Sequence, residues 1–233
     1  MLEWTEPVIE NKPVVDDFEA YDSFEYEQIG DYTLYDGDGL TPCGIFGVNH
    51  PNMGKPMAFQ VWEPKAPGVD VDASIWQPYS GQKCLVSWAA LSQMYAPIND
   101  DWLISPEVDG GTELSFYATM PVAQYSPETF EVLYSERTND PEDFQLLASE
   151  ALLYPGWKNF KYALPDGARY FAIRYTSSNK FALLVDDLSY VRSMGAVKPV
   201  VSGYNIFRNG EKIDNTTAAV TSYTDSSDKG GRY

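Results

Sequence analysis

Thr112-Glu113-Leu114-Ser115-Phe116-Tyr117-Ala118 alternates apolar and polar residues with a period of two. A strand points successive side chains to opposite faces. This run therefore presents Leu114, Phe116 and Ala118 to one side and Glu113, Ser115 and Tyr117 to the other. Phe130, Val132 and Tyr134 repeat the pattern against Thr129, Glu131 and Leu133. Both read as strands of a sheet with one buried face. Further strand-like runs lie at Met57–Trp62, Lys83–Ala90, Thr129–Ser135, Trp157–Leu164, Arg169–Thr176 and Phe181–Tyr190. Turn signals separate them: Asp36-Gly37-Asp38-Gly39, Asp109-Gly110-Gly111, Pro165-Asp166-Gly167 and Asn209-Gly210. The last predicts a two-residue hairpin between Tyr204–Arg208 and Glu211–Ile213. Asp140-Pro141-Glu142-Asp143 followed by Phe144–Glu150 fits a helix start as well as a strand; a short strand is the reading taken.

Composition agrees with an all-β class. Seventeen glycines and sixteen prolines supply frequent turns in 233 residues, and aromatics make up 15%. That richness is foreign to a disordered acidic tail. No apolar run approaches the ~18 residues of a membrane helix, so direct membrane insertion is not expected. Sixteen Lys and Arg stand against 34 Asp and Glu, a formal charge of −18. Nucleic acid and anionic membranes repel such a surface, so neither is an expected partner.

Cys43, Cys84 and the single His50 are too few for a structural zinc site. His50, in the turn-like Asn49-His50-Pro51-Asn52, reads as a polar loop residue rather than a catalytic base. Two free thiols are expected, with a bridge open to an exported protein. Met1-Leu2-Glu3-Trp4-Thr5-Glu6 lacks the basic start and apolar core of an export signal. The chain is then either cytoplasmic or cut from a longer exported one.

Two sets of motifs carry resemblances. At the ends, Leu2-Glu3-Trp4-Thr5-Glu6-Pro7, Tyr204–Ile213, Thr221–Asp225 and Gly231-Arg232-Tyr233 resemble strands of a fibronectin type III sandwich. Residues 1–9 and 196–233 would then form an incomplete fibronectin-like domain interrupted by 10–195. The competing reading makes both ends edge strands of one large sandwich. In the middle, five motifs follow in order: Asp16-Asp17-Phe18-Glu19, Asp36-Gly37-Asp38-Gly39, Asp100-Asp101-Trp102-Leu103-Ile104-Ser105-Pro106, Phe130–Ser135, and Leu164–Arg174 closing at Leu184-Val185-Asp186-Asp187-Leu188. Their order and spacing resemble the cleaved-adhesin domains of gingipains and related haemagglutinins, also called choice-of-anchor J modules. The resemblance covers residues 14–192, and 201–233 more loosely.

That resemblance implies a jelly-roll β-sandwich like those of MAM domains and carbohydrate-binding modules, with structural calcium. It also implies secretion or cell-surface display in bacteria and adhesion to host extracellular proteins or glycans. No catalytic protease domain is present, so other modules of a longer chain would hold any such activity. Matching the family pattern places calcium ligands at Glu19, Asp100 and Asp187, with Asp16 and Asp186 next. The residues themselves suit it, because calcium takes six to eight oxygens and this chain supplies acids at turns. First and last strands of a jelly roll commonly lie side by side, which would bring Asp16 and Glu19 near Asp186 and Asp187. Strand alternation sends Asp186 and Asp187 to opposite sides, so one of them would meet the ion. Asp36 and Asp38 read either as a polar turn or as a second calcium loop. An EF-hand is excluded, because its twelfth position falls on Gly47.

Sugar rings stack on aromatic faces, and Trp62, Trp76, Tyr79 and Tyr95 in or near loop-rich segments are the candidates. Trp88, Trp102 and Trp157 fall within or beside strand patterns and read as core. An enzyme is not expected: a jelly-roll glycoside hydrolase needs a carboxylate pair in a deep cleft, and long cleft-building loops are few. The alternatives to a free-standing adhesin are a carbohydrate-binding module or a spacer on a larger secreted enzyme, such as a protease or glycoside hydrolase.

Overall fold

The computed structural model describes residues 1–4, 12–66, 68–72, 74–91, 96–194, 202–217 and 219–226. Its strands run in chain order as β1 (Leu2–Glu3), β2 (Val14–Asp16), β3 (Thr33–Asp36), β4 (Gln60–Trp62), β5 (Cys84–Trp88), β6 (Asp101–Ile104), β7 (Glu113–Thr119) and β8 (Glu128–Ser135), then β9 (Gln145–Leu152), β10 (Lys158–Ala163), β11 (Tyr170–Tyr175), β12 (Ala182–Tyr190), β13 (Gly203–Arg208), β14 (Glu211–Thr217) and β15 (Ser222–Tyr223). The chain divides into two compact units, Lys12–Ser193 and a smaller one built from Met1–Asn11 with Met194–Tyr233. No helix among the described residues is long and apolar enough to cross a membrane.

The larger unit is the expected all-β sandwich of jelly-roll type. One sheet has the order β10-β7-β12-β5-β4, with β2 also on β12, and the facing sheet has the order β3-β6-β11-β8-β9. All pairings are antiparallel. The alternation that decided the fold is realised in β7, where Leu114, Phe116 and Ala118 are buried between the sheets. Phe130 and Val132 of β8 and Phe171, Ile173 and Tyr175 of β11 meet them from the other side. The ambiguous 140–152 stretch resolves into a single 3-10 turn capped by Asp140, then strand β9. The first and last strands of this unit do lie side by side, with Asp16 opposite Leu188.

A second core forms on the outer face of the first sheet. All five residues of β5 are buried, so its side chains pack on both sides. Leu85 faces the inter-sheet core, while Cys84, Val86 and Trp88 join Trp62, Trp76 and Leu184 outside it. The long segments 37–59 and 63–83 cover this cluster. His50 is part of it: its ring stacks between Phe24 and Trp88 at 5.9 and 5.7 Å. It sits in a loop as expected, but its ring is half-buried among aromatics rather than free in solvent, and burial lowers its pKa. Cys43 and Cys84 are both free thiols.

In the smaller unit β1 pairs with β15, and β13 with β14. The hairpin turn sits where Asn209-Gly210 predicts it, both residues having positive φ. Trp4 packs edge-on against Tyr204 at 5.2 Å. Residues 231–233 lie outside the described residues.

Candidate binding cleft and acidic clusters

The outward-facing partner of the β7 alternation is Tyr117. Tyr79, from the long segment before β5, lies flat on it, with ring centroids 3.5 Å apart and planes 13° apart. Trp157, just before β10, meets Tyr79 edge-on at 6.1 Å. Its indole Nε1 donates to the Gln77 carbonyl at 3.0 Å, which fixes the ring. The turn ahead of it is held by the Gly156 amide, which donates to Thr119 Oγ1 at 3.0 Å. Between these walls runs a cleft of about 530 Å³, lined by Ser74, Ile75, Gln77, Tyr79, Thr119, Met120 and Trp157 with three prolines and Gly156. A second depression of about 350 Å³ adjoins it, sharing Pro155 and Gly156 and continuing past Tyr154 to Lys158. Tyr79 is 42% and Tyr154 76% exposed.

Of the four aromatic residues expected to meet a ligand, Tyr79 is the one among the described residues that lines this cleft. Trp62 and Trp76 are 0% and 3% exposed and belong to the outer core, because the segments crossing that sheet face cover them. Tyr95 lies outside the described residues. Trp157 is the reverse case. The core expected from its place beside a strand is met in part: it is half-buried against the outer core, while its other side lines the cleft after the Pro155-Gly156 turn. Trp88 and Trp102 are core as expected.

The acids gather in two places. Glu19, Asp186 and Asp187 surround the turn at Ser80–Lys83. Glu19 Oε1 accepts from the amides of Gln82 and Lys83, each at 2.7 Å. Asp186 Oδ2 accepts from the Ser80 amide at 3.1 Å, and Asp187 Oδ1 from the Ser80 hydroxyl at 2.7 Å. Both neighbours reach the same serine because a bulge interrupts β12 after Asp186, and Asp187 takes φ +45°. The alternation expected of these two acids therefore fails here. Asp16 sits apart, accepting from the Phe18 amide and, at 2.6 Å, from the Tyr21 hydroxyl. Amides and hydroxyls thus occupy oxygens of all four carboxylates.

At the other place, carboxylate oxygens of Asp36, Asp38 and Asp101 lie within 4.8 Å of one another. Asp36 is directly opposite Asp101 in the β3–β6 ladder. Asp38 also receives the Asp100 amide at 3.2 Å, which ties the turn to β6. Burial pushes the Asp101 carboxyl up to about 8 and raises that of Asp38. Gly37 fits here because a Cβ would collide with the Asp100 carboxylate and carbonyl. Asp100 itself turns to the other face of β6. Its Oδ1 accepts from Trp102 Nε1 and Arg174 Nε, both at 2.6 Å. Asp101 brings its carboxylate to those of Asp36 and Asp38, while Asp100 meets the same turn through its amide and carbonyl and lays its carboxylate against Gly37. The three clustered carboxylates also accept hydrogen bonds, Asp36 from the Gly39 amide, Asp38 from the Leu40 amide and Asp101 from the Asn99 side chain. Such a cluster supplies the kind of oxygen donors a hard divalent cation takes.

These features define a β-sandwich with a half-open aromatic cleft, the class to which adhesion and other binding modules belong. The Cleaved Adhesin Domain family model matches residues 71–161 and 154–190, together just over half of the chain. The chain belongs to the cleaved adhesin family. Among solved structures it is similar to the K1 cleaved adhesin domain of Lys-gingipain from Porphyromonas gingivalis W83, with 21% identity and TM-score 0.55 over 78% of this chain and 98% of that one. The K2 domain of Lys-gingipain gives 19% and 0.57 over 76% and 98%. The K3 domain from the same organism as K1 gives 21% and 0.54 over 76% and 96%. No curated protein matches the sequence.

Proposed function

We propose that the chain is a non-catalytic adhesion module of a secreted or surface-displayed bacterial protein. It holds a host glycan in the cleft between Tyr79 and Trp157 and is stabilised by calcium at Asp36, Asp38 and Asp101. One observation carries the ligand reading. The larger unit has five tryptophans, and Trp62, Trp76, Trp88 and Trp102 are all at most 5% exposed. Trp157 alone of the five is partly exposed: it packs on one side against the outer core, lies beside an exposed tyrosine and is braced by a hydrogen bond. Leaving such rings partly in water forgoes burial worth a few kcal/mol, which a stacked sugar face restores on binding.

The lining supports binding rather than hydrolysis. No described residue lining the cleft is an aspartate or glutamate, whereas glycoside hydrolysis works with a carboxylate pair. For calcium, the support is the donor set itself. When ionised, three carboxylates brought together by β3, the turn after it and β6 repel one another, and a cation would offset that. Backbone carbonyls and water would complete the six to eight oxygens.

The test is a glycan array probed with the intact chain and with Trp157→Ala, each in calcium and in chelator. Wild-type binding to a defined set of glycans, lost in Trp157→Ala, is the expected result. Binding that survives that substitution, or binding to matrix proteins with none to glycans, overturns the reading.

A further inference from the structure

Two properties of the cleft bear on which glycan it takes, an inference that rests on the glycan reading above. The first is charge. No carboxylate, ammonium or guanidinium lies among the described residues lining the main cleft. In the adjoining depression the one cation is Lys158, and its ammonium sits over the Phe160 ring, 4.4 Å from the centroid. Recognition of a carboxylate or sulfate relies on Arg or Lys donors converging on it. Around this neutral strip the chain carries −18, which repels anions at a distance. The Thr119 and Ser74 hydroxyls already donate to the Met120 carbonyl and the Asp72 carboxylate, so what the cleft offers instead is the Gln77 side-chain amide and aromatic faces. Those are groups that satisfy sugar hydroxyls and C–H surfaces.

The second property is length. The main cleft, about 530 Å³, falls in the ~300–1,000 Å³ range of sites for drug-sized ligands, larger than one pyranose. It does not end in a wall. Pro155 and Gly156 belong to both depressions, so the floor continues past them to Tyr154, whose ring is 76% exposed. An aromatic at each end of a shared floor suits consecutive rings of one chain.

We propose that the site reads a neutral oligosaccharide over several successive units, with one sugar against Tyr79 and Trp157 and the chain running on to Tyr154. Uronate-, sialate- or sulfate-bearing glycans are excluded. Tyr154 acts as a length-reading contact, and its exposure lets it be replaced without disturbing the core.

Isothermal titration tests this with neutral mono- and tetrasaccharides of the cello-, xylo-, manno- and galacto- series, and with polygalacturonate and heparin as anionic probes. For the series that binds, the tetrasaccharide is expected to bind at least about tenfold tighter than the monosaccharide. Tyr154→Ala should cost the tetrasaccharide about fivefold, as for one lost aromatic contact, and leave the monosaccharide unchanged. Both anionic probes should bind at least about tenfold more weakly than the neutral tetrasaccharide. Equal affinity for one and four units, an unaffected Tyr154→Ala, or anionic probes binding as tightly would each overturn the inference. If Trp157→Ala still abolishes binding in those cases, the glycan reading survives. If no probe binds the wild type, that reading and the inference fall together.

Discussion

The ring of Tyr79 lies flat on that of Tyr117, with centroids 3.5 Å apart. A loop residue is thereby aligned by a strand residue whose direction the β7 alternation sets. Tyr117 is not among the residues lining the cleft, so it acts as a positioning residue. Tyr117→Ala should weaken glycan binding about fivefold, within the range of one aromatic pair, with the unfolding midpoint nearly unchanged. Tyr117→Phe should restore binding. Loss with both substitutions would mean that the Tyr117 hydroxyl, which bonds the Tyr79 side chain, and not only its ring, is needed.

Calcium should raise the melting temperature. A ligand present at a hundred times its dissociation constant contributes about 2.7 kcal/mol, or about 5–10 °C for a domain of this size. Differential scanning calorimetry in chelator and then in excess calcium measures the shift. Asp101→Asn should remove it, whereas Asp100→Asn, on the other face of β6, should keep most of it. An unshifted wild-type midpoint would remove calcium from the account.

Glu128 predicts a pH dependence. It is fully buried, with its carboxylate accepting from the Tyr175 hydroxyl at 2.5 Å and the Phe181 amide at 2.7 Å. Burial nevertheless raises its pKa above the ordinary 4.5. A raised acid binds its proton more tightly in the folded state. Its contribution is therefore fully present below about 4.5 and is lost as pH climbs through the folded value. Urea midpoints should fall as pH rises from about 4.5 toward neutrality, and Glu128→Gln should flatten that slope. A wild-type midpoint that climbs over this window, or a slope unchanged in Glu128→Gln, would contradict the assignment.

Trp76 offers the opposite control. Buried against Trp62, Trp88 and Phe181 at 5.5, 5.2 and 5.6 Å, it closes the outer core. Trp76→Ala should cost about 3–5 kcal/mol by chemical denaturation. A cost below about 1 kcal/mol would mean that the cover over this sheet face is loosely held.

Much of this fold was legible because alternation is a local signal. Leu114, Phe116 and Ala118 announce their own face, and Asn209-Gly210 its own turn. The aromatic residues were harder to place. Trp62 and Trp76 look like loop-side residues until a second covering layer makes the outer sheet face a core, and that layer is a tertiary fact. Trp157 looks wholly core until the turn at Pro155-Gly156 gives one side of it to the cleft. Among the acids, parity within a strand decided what spacing could not. Asp100 and Asp101 are adjacent in sequence and face opposite ways, and the bulge after Asp186 reverses that logic at Asp187. A bulge of this kind leaves no clear mark in the sequence.

The most direct test of the central claim is a two-dimensional NMR titration that follows the tryptophan indole N–H signals as the best-binding glycan is added. The account predicts that the Trp157 signal, from the indole bonded to the Gln77 carbonyl, moves to saturation while those of Trp62, Trp76 and Trp88 stay in place. A Trp157 signal that stays fixed while the glycan binds would place the ligand elsewhere and contradict the account.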